Sequence, residues 1–175
     1  MAILGPHHAG NMREHAFEGY RELDYQQSPF GSQIDMTRWR EEGYVHPDDY
    51  FTGHMVDKRG VQPVWTRDLE LWAENRFQIE DVTATFYRMR TGTILPVHRD
   101  AYSRYTALFN VEVRQVARII MMMEDWASGH YLEIDDYPYM GWKAGDYFVW
   151  YGDTPHMAAN IGVKPRYTLQ LTGHQ

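Results

Sequence analysis

Hydrophobic and polar positions divide the chain into two unlike parts. Residues 81–175 run in short stretches dense in β-branched and aromatic residues, and several alternate with the period of two expected of strands buried on one face. The stretches are Val82–Arg90, Thr93–His98, Tyr105–Val113, Val116–Glu124, Tyr131–Ile134, Asp146–Tyr151, His156–Ile161 and Arg166–Leu171. Gly, Pro, Asp and Asn stand between them, where turns need them. Short strands at such regular spacing predict a sandwich or barrel, and a jelly roll is one common solution.

Residues 1–80 are polar, turn-rich and weakly patterned, and two helices are predicted there. Residues 35–42 lead into Gly43, a suitable stop. Thr66 is placed as the cap of a helix running to Arg76, with Trp65, Leu69, Trp72 and Ala73 on one buried stripe. The chain shows no repeat, no low-complexity tract and no flexible linker. The expectation is one domain over residues 1–175: a β core at 81–175, with residues 1–80 as a helical and irregular extension packed on it.

Composition narrows the chemistry. At 175 residues the chain is long enough to bury a sizeable core, and 43% hydrophobic with 23% charged residues is a globular balance. There is no cysteine, which excludes disulfides, thiolate zinc sites, iron–sulfur clusters and a cysteine nucleophile. A metal would have to be held by His, Asp or Glu. Lys and Arg number 17 against 24 Asp and Glu, a net charge of −7 that disfavours general nucleic-acid binding. The longest apolar run, Ile119 to Met123, is too short to cross a membrane. The N-terminus lacks the basic and apolar regions of a signal peptide, so the cytoplasm is the expected location.

Most of the nine histidines have ordinary explanations. His7 and His8 are expected in a loose terminus, and His15, His46, His54, His130 and His174 in polar or turn segments as solvated or hydrogen-bonded side chains. His98 and Asp100 differ, because residues two apart on an extended chain project to one side. Alone, that pair is equally a surface ion pair or a turn cap. His156 follows Asp100 by 56 residues, after a turn and at the head of a strand. Two histidines and a carboxylate make the facial triad that holds non-haem Fe(II) with positions left open. Arg166 lies ten residues beyond His156, and Thr168 shares its strand face. A guanidinium fork and a hydroxyl would grip the far carboxylate of a dicarboxylate whose other end chelates iron. Singly, Arg166 reads as an exposed charge and Thr168 as strand propensity; the ordered set favours a site.

The order His-x-Asp, a distal His, then Arg-x-Thr resembles the 2-oxoglutarate- and Fe(II)-dependent oxygenases, over roughly residues 82–173. It is most similar to the prolyl-hydroxylase-like branch, through Phe86-Tyr87-Arg88-Met89-Arg90-Thr91-Gly92 before His98 and Gly141-Trp142-Lys143-Ala144-Gly145-Asp146 before the distal histidine. Between the metal ligands, Ser128-Gly129-His130-Tyr131-Leu132-Glu133-Ile134 departs from the Gly-Gly-x-Thr-x-Phe segment of many prolyl hydroxylases, so a prolyl substrate is not implied.

The resemblance implies a mainly β double-stranded β-helix, a cupin-like jelly roll with N-terminal helices packed on it. It implies Fe(II) held by His98, Asp100 and His156, which would be the catalytic centre, and 2-oxoglutarate held by Arg166 and Thr168. Tyr87 would add a hydrogen bond to that co-substrate. The implied reaction is O2-dependent hydroxylation of a C–H bond in a small molecule or a peptide residue, with release of succinate and CO2. Tyr102, Arg104 and Trp142 lie near these segments and could touch substrate, and Arg104 and Arg118 could meet an acidic substrate group. Packing is the expectation for Trp142 and solvated charge for both arginines, while Met121, Met122 and Met123 are expected to fill core. Two other classes stand beside this one: a cupin-like metalloenzyme that uses the triad without 2-oxoglutarate, and a non-catalytic jelly-roll binding module with aromatic platforms.

Overall fold

Consecutive strands of the C-terminal part cross back and forth between two facing antiparallel sheets. The computed structural model describes residues 5–28, 32–44 and 53–175, so His46 lies outside the described residues. The strands are β1 (His8–Asn11), β2 (Gln26–Ser28), β3 (Gly53–Val56), β4 (Glu80–Met89), β5 (Thr93–His98), β6 (Val116–Met122), β7 (His130–Ile134), β8 (Tyr137–Tyr139), β9 (Asp146–Tyr151), β10 (His156–Asn160) and β11 (Arg166–His174). Among the described residues the helices are α1 (Gln33–Glu41), α2 (Thr66–Phe77) and α3 (Ser103–Phe109). The larger sheet has the order β1-β9-β6-β11-β4-β3-β2 and the smaller one β5-β10-β7-β8. The path β4, β5, β6, then β7 and β8, then β9, β10, β11 therefore alternates between sheets, which is the winding of a double-stranded β-helix.

Both faces of the larger sheet contribute apolar residues to packing. Ile120, Met122, Phe148 and Trp150 point inward and meet Leu132 and Ile134 of the smaller sheet. The intervening positions, among them Ala84, Phe86, Ile119, Met121, Leu169 and Leu171, point outward and are almost fully buried. The N-terminal part covers that outer face. Leu69 and Ala73 of α2 lie in the same cluster, as do Tyr20 and Tyr25 from the segment before α1. The 3.6-residue stripe on α2 thus finds its partner on the back of the β core. Helix α1 starts at Ser32, whose hydroxyl accepts from the Asp35 amide at 3.2 Å.

Several sequence expectations are corrected. The stretch 105–113 is not a strand: residues 103–109 form α3, and a short 3-10 turn spans 113–115. Its apparent alternation also fits a helix, in which Tyr105 and Phe109 sit one turn apart with ring centroids 4.7 Å apart. Thr66 is the first residue of α2, not its cap; Trp65 holds the cap position without a side-chain bond. The terminus around His7 and His8 is built in. Strand β1 pairs with β9, His8 Nε2 lies 3.1 Å from Asp146, and His7 Nδ1 lies 2.9 Å from the Tyr139 hydroxyl. His130 and His174 are buried as well, His130 hydrogen-bonding the Lys164 carbonyl and His174 the Tyr105 hydroxyl.

No helix among the described residues is long and apolar enough to cross a membrane. Leu169 is fully buried where β11 lies between β6 and β4, whereas Leu71 on the open side of α2 is 41% exposed. Leu169→Ala should cost about 2–5 kcal/mol in urea unfolding. Leu71→Ala should stay within about 0.5 kcal/mol. Equal losses at the two positions would contradict the two-faced sheet.

Candidate metal centre

The smaller sheet brings the two key histidines together. His98 ends β5 and His156 begins β10; the strands are antiparallel, and these two residues are register partners. Their ring centroids are 4.3 Å apart. The register shifts by one residue just beyond, between His156 and Ala158, a bulge of the kind that re-aims side chains next to a site. Pro96 is tolerated in β5 because that strand is the sheet's edge.

Asp100 lies two residues past the end of β5. Its Oδ1 is 3.9 Å from His98 Nε2 and its Oδ2 is 3.8 Å from His156 Nε2. One ligand atom from each residue falls within 4.8 Å of the others, a spacing that a single ion can bridge. Both rings are oriented by the same local device. His98 Nδ1 is 2.8 Å from the Pro96 carbonyl and His156 Nδ1 is 3.0 Å from the Thr154 carbonyl. A carbonyl only accepts, so each Nδ1 carries the proton and each Nε2 presents its lone pair to the shared point.

Electrostatics agree with a metal-binding state. Burial lowers both imidazoles, His98 and, with the added effect of the neighbouring ring, His156 to about 4. Both are neutral at pH 7, as ligands must be. Burial alone would raise the Asp100 carboxyl, but the Arg118 guanidinium, then His156 and His98, outweigh it and hold it below the usual range. Two neutral imidazoles and one carboxylate fit a divalent first-row ion such as Fe(II).

The triad borders a cavity of about 240 Å³ between the sheets, and Arg166, Thr168 and Tyr87 border the same cavity. That volume is below the roughly 300–1,000 Å³ typical of sites for drug-sized ligands. Arg166 and Thr168 project inward from β11, and Tyr87 of β4 is the register partner of Thr168. Arg166 is 5% exposed and donates from Nη1 to the Tyr131 carbonyl at 2.6 Å, while its Nε has no acceptor. Among the described residues no carboxylate pairs with it, and burial brings its pKa down to about 10. All six residues singled out in the sequence are therefore gathered at one cavity.

Arg118, expected in solvent, is instead largely enclosed, its side chain only 12% exposed. It donates from Nη2 to Asp100 Oδ2 at 3.0 Å and from Nη1 to Gln170 at 2.7 Å. Its signal in the sequence is a lone charge inside the apolar run Val116–Met122, a placement seldom found without a buried partner. Arg104 is exposed as expected, Trp142 is core, and Met121 and Met122 serve opposite faces of the larger sheet. The N-terminal part supports the centre from behind. Arg38 of α1 donates to the Val97 carbonyl at 2.6 Å, and the fully buried Trp39 presents an edge-on ring 6.3 Å from that of His98.

No known family model matches the chain, and no curated protein matches it in sequence. Among solved structures it is similar to the cupin domain of Schizosaccharomyces pombe Cnp3, at 8% identity and a TM-score of 0.43, covering 70% of this chain and 65% of that one. KdgF from Halomonas is similar at 11% identity and a TM-score of 0.42, over 70% of this chain and 79% of that chain. A predicted oxalate decarboxylase from Thermotoga maritima gives 10% identity and a TM-score of 0.43, over 71% and 82%. These likenesses concern the fold.

Two outcomes are expected. Mn(II) or Co(II), titrated by calorimetry, should bind one equivalent, and His98→Ala, Asp100→Ala or His156→Ala should each weaken binding at least tenfold. Undiminished binding in these variants would remove the triad as the ligand set. The second concerns pH. The unfolded chain protonates its histidines near 6.5, above the folded-state values, so it takes up protons first as the pH falls. Stability of the metal-free protein should be full above pH 6.5 and decline through that value toward about 4, where His156 titrates in the fold. Urea midpoints between pH 7.5 and 4.5 measure this, and a flat profile would contradict buried neutral imidazoles.

Proposed function

We propose that this chain is a non-haem Fe(II)- and 2-oxoglutarate-dependent dioxygenase that hydroxylates a C–H bond of a small molecule or peptide residue. The carrying observation is Arg166: a buried guanidinium with no acidic partner, bordering the same cavity as a His/Asp/His cluster. A buried charge left uncompensated is costly, and here the compensation is assigned to an anionic ligand. When bound, Fe(II) and 2-oxoglutarate together supply oxidative decarboxylation to succinate and CO2, coupled to O2 activation.

The chain's residues have separable tasks in this reading. His98, Asp100 and His156 hold the ion through one face and leave the cavity side open. Their Nδ1 bonds to Pro96 and Thr154 keep both rings in the ligating tautomer. With neutral imidazoles, the ion and Asp100 together carry about one positive charge, which favours an anionic chelating group. Arg166 and Thr168 receive the far carboxylate, by the fork and by the hydroxyl, and Tyr87 adds its own hydroxyl from the neighbouring strand. Leu95, Ile120, Leu132 and Ala158 line the space between and exclude water from it.

The test is an anaerobic titration of the Fe(II)-loaded protein with 2-oxoglutarate, followed by the metal-to-ligand charge-transfer band in the visible. The band should need both components and weaken at least tenfold in apparent affinity in Arg166→Ala. A protein that binds iron and gives no band would instead be a cupin-like metalloenzyme that works without the keto acid.

A further inference from the structure

The inner face of the larger sheet does not stop at Arg166 and Thr168. Residues paired across a ladder project to the same side, so a line of partners traces one face. Thr168 pairs with Tyr87, Tyr87 with Met55 and Met55 with Gln26. In the next line Arg166 pairs with Met89 and Gly53 with Ser28. The register that sets His54 against Arg88 brings Gly53 beside Met89 and joins the two pairs. All four residues of this second line border the triad cavity. The cavity therefore runs from β11 across β4 and β3 to β2, the last strand of the sheet among the described residues. There it meets a second hollow of about 800 Å³: Ser28 borders both, and Gln26 and Met55 of the first line border the second.

Gly53 stands out in this floor. It does not sit at positive φ, so its backbone is open to any residue. Packing does not demand a glycine either: a Cβ there would have the Ser28 carbonyl oxygen, at 3.9 Å, as its nearest described neighbour. A glycine inside a strand weakens it, and one that neither backbone nor packing requires marks a place where a ligand or another backbone comes close. Strands lie about 4.8 Å apart, so the three steps from β11 to β2 cover about 14 Å, the length of about four residues of extended chain. The rim of the second hollow holds Glu22, Asp24 and Asp57 alongside Arg59 and Arg104, a mixture that suits neither an acyl chain nor a polyanion. We propose that Gly53 is the threshold of the site and a specificity-determining residue: an extended peptide lies across it, with one side chain in the triad cavity and the flanking residues in the second hollow. The peptide's role as substrate rests on the dioxygenase reading; its binding does not.

The experiment uses peptides selected from a random heptapeptide display library on the full, metal-free chain, and follows its methionine methyl resonances after 13C labelling. The Met55 and Met89 peaks are identified by their loss in Met55→Leu and Met89→Leu. Selected peptides should shift both peaks saturably and leave the peak of Met121, buried on the sheet's other face, unmoved. Because the chain has no cysteine, Gly53→Cys supplies a single thiol that can be capped after folding with benzyl methanethiosulfonate. The cap should weaken peptide binding at least tenfold, with the Met121 peak again unmoved, and a reductant should restore it. A library that yields no peptide moving the Met55 and Met89 peaks would overturn the proposal. So would peptides whose binding ignores the cap, since they would then lie elsewhere. Peptide binding without the charge-transfer band would keep the track and remove the co-substrate; a band without peptide binding would do the reverse.

Discussion

One rung of one β-ladder organises this molecule's chemistry. His98 and His156 oppose each other because β5 ends where β10 begins, and everything else at the centre is arranged around that register. A slip of one residue would send one imidazole to the other face of the sheet and undo the cluster. The bulge beside the rung and the paired Nδ1 bonds to Pro96 and Thr154 make the alignment specific. Asp100 then needs only a short reach from the end of the strand, and Arg118 holds it from the facing sheet. The centre is thus a product of backbone pairing first and of side-chain chemistry second.

The larger sheet does two jobs at once. Its inner face supplies Arg118, Arg166 and Thr168 to the cavity, and its outer face supplies most of the apolar burial. Charged groups are tolerated inside because strands fully packed behind them hold their backbones still. Helix α1 contributes to the same end from the smaller sheet's side, through Arg38 on Val97 and Trp39 beside His98.

Much of this was legible in the chain. Seven of the eight expected strands correspond to observed ones, with Thr93–His98 and Asp146–Tyr151 matching at both ends. The residues at 98, 100, 156, 166 and 168 could be read because spacing of two on a strand is a strong geometric statement. What stayed hidden has physical reasons. Strands β1, β2, β3 and β8 are three or four residues long, too short to show a period, and they exist because a longer neighbour offers a ladder. The Asp135-Asp136 turn, with both residues at positive φ, joins β7 to β8 without the glycine that usually marks such a hairpin. Helix α3 carries an alternation of aromatic and polar residues that suits either period over so few positions. The enclosure of Arg118 and its bond to Asp100 are not legible, because a charge's environment is decided by tertiary packing and only its apolar neighbours in sequence hint at it.

The placement of the short N-terminal strands has a consequence for how this protein can be divided. Strand β1 closes one edge of the larger sheet against β9, and β3 with β2 closes the other against β4. A fragment beginning near residue 80 would lose both borders together with the cover of the outer face. It would present two bare strand edges and an apolar slab, the features that drive sheets to pair with one another. The segment that carries no obvious chemistry is thus what covers both strand edges and the apolar back of the half that bears the site.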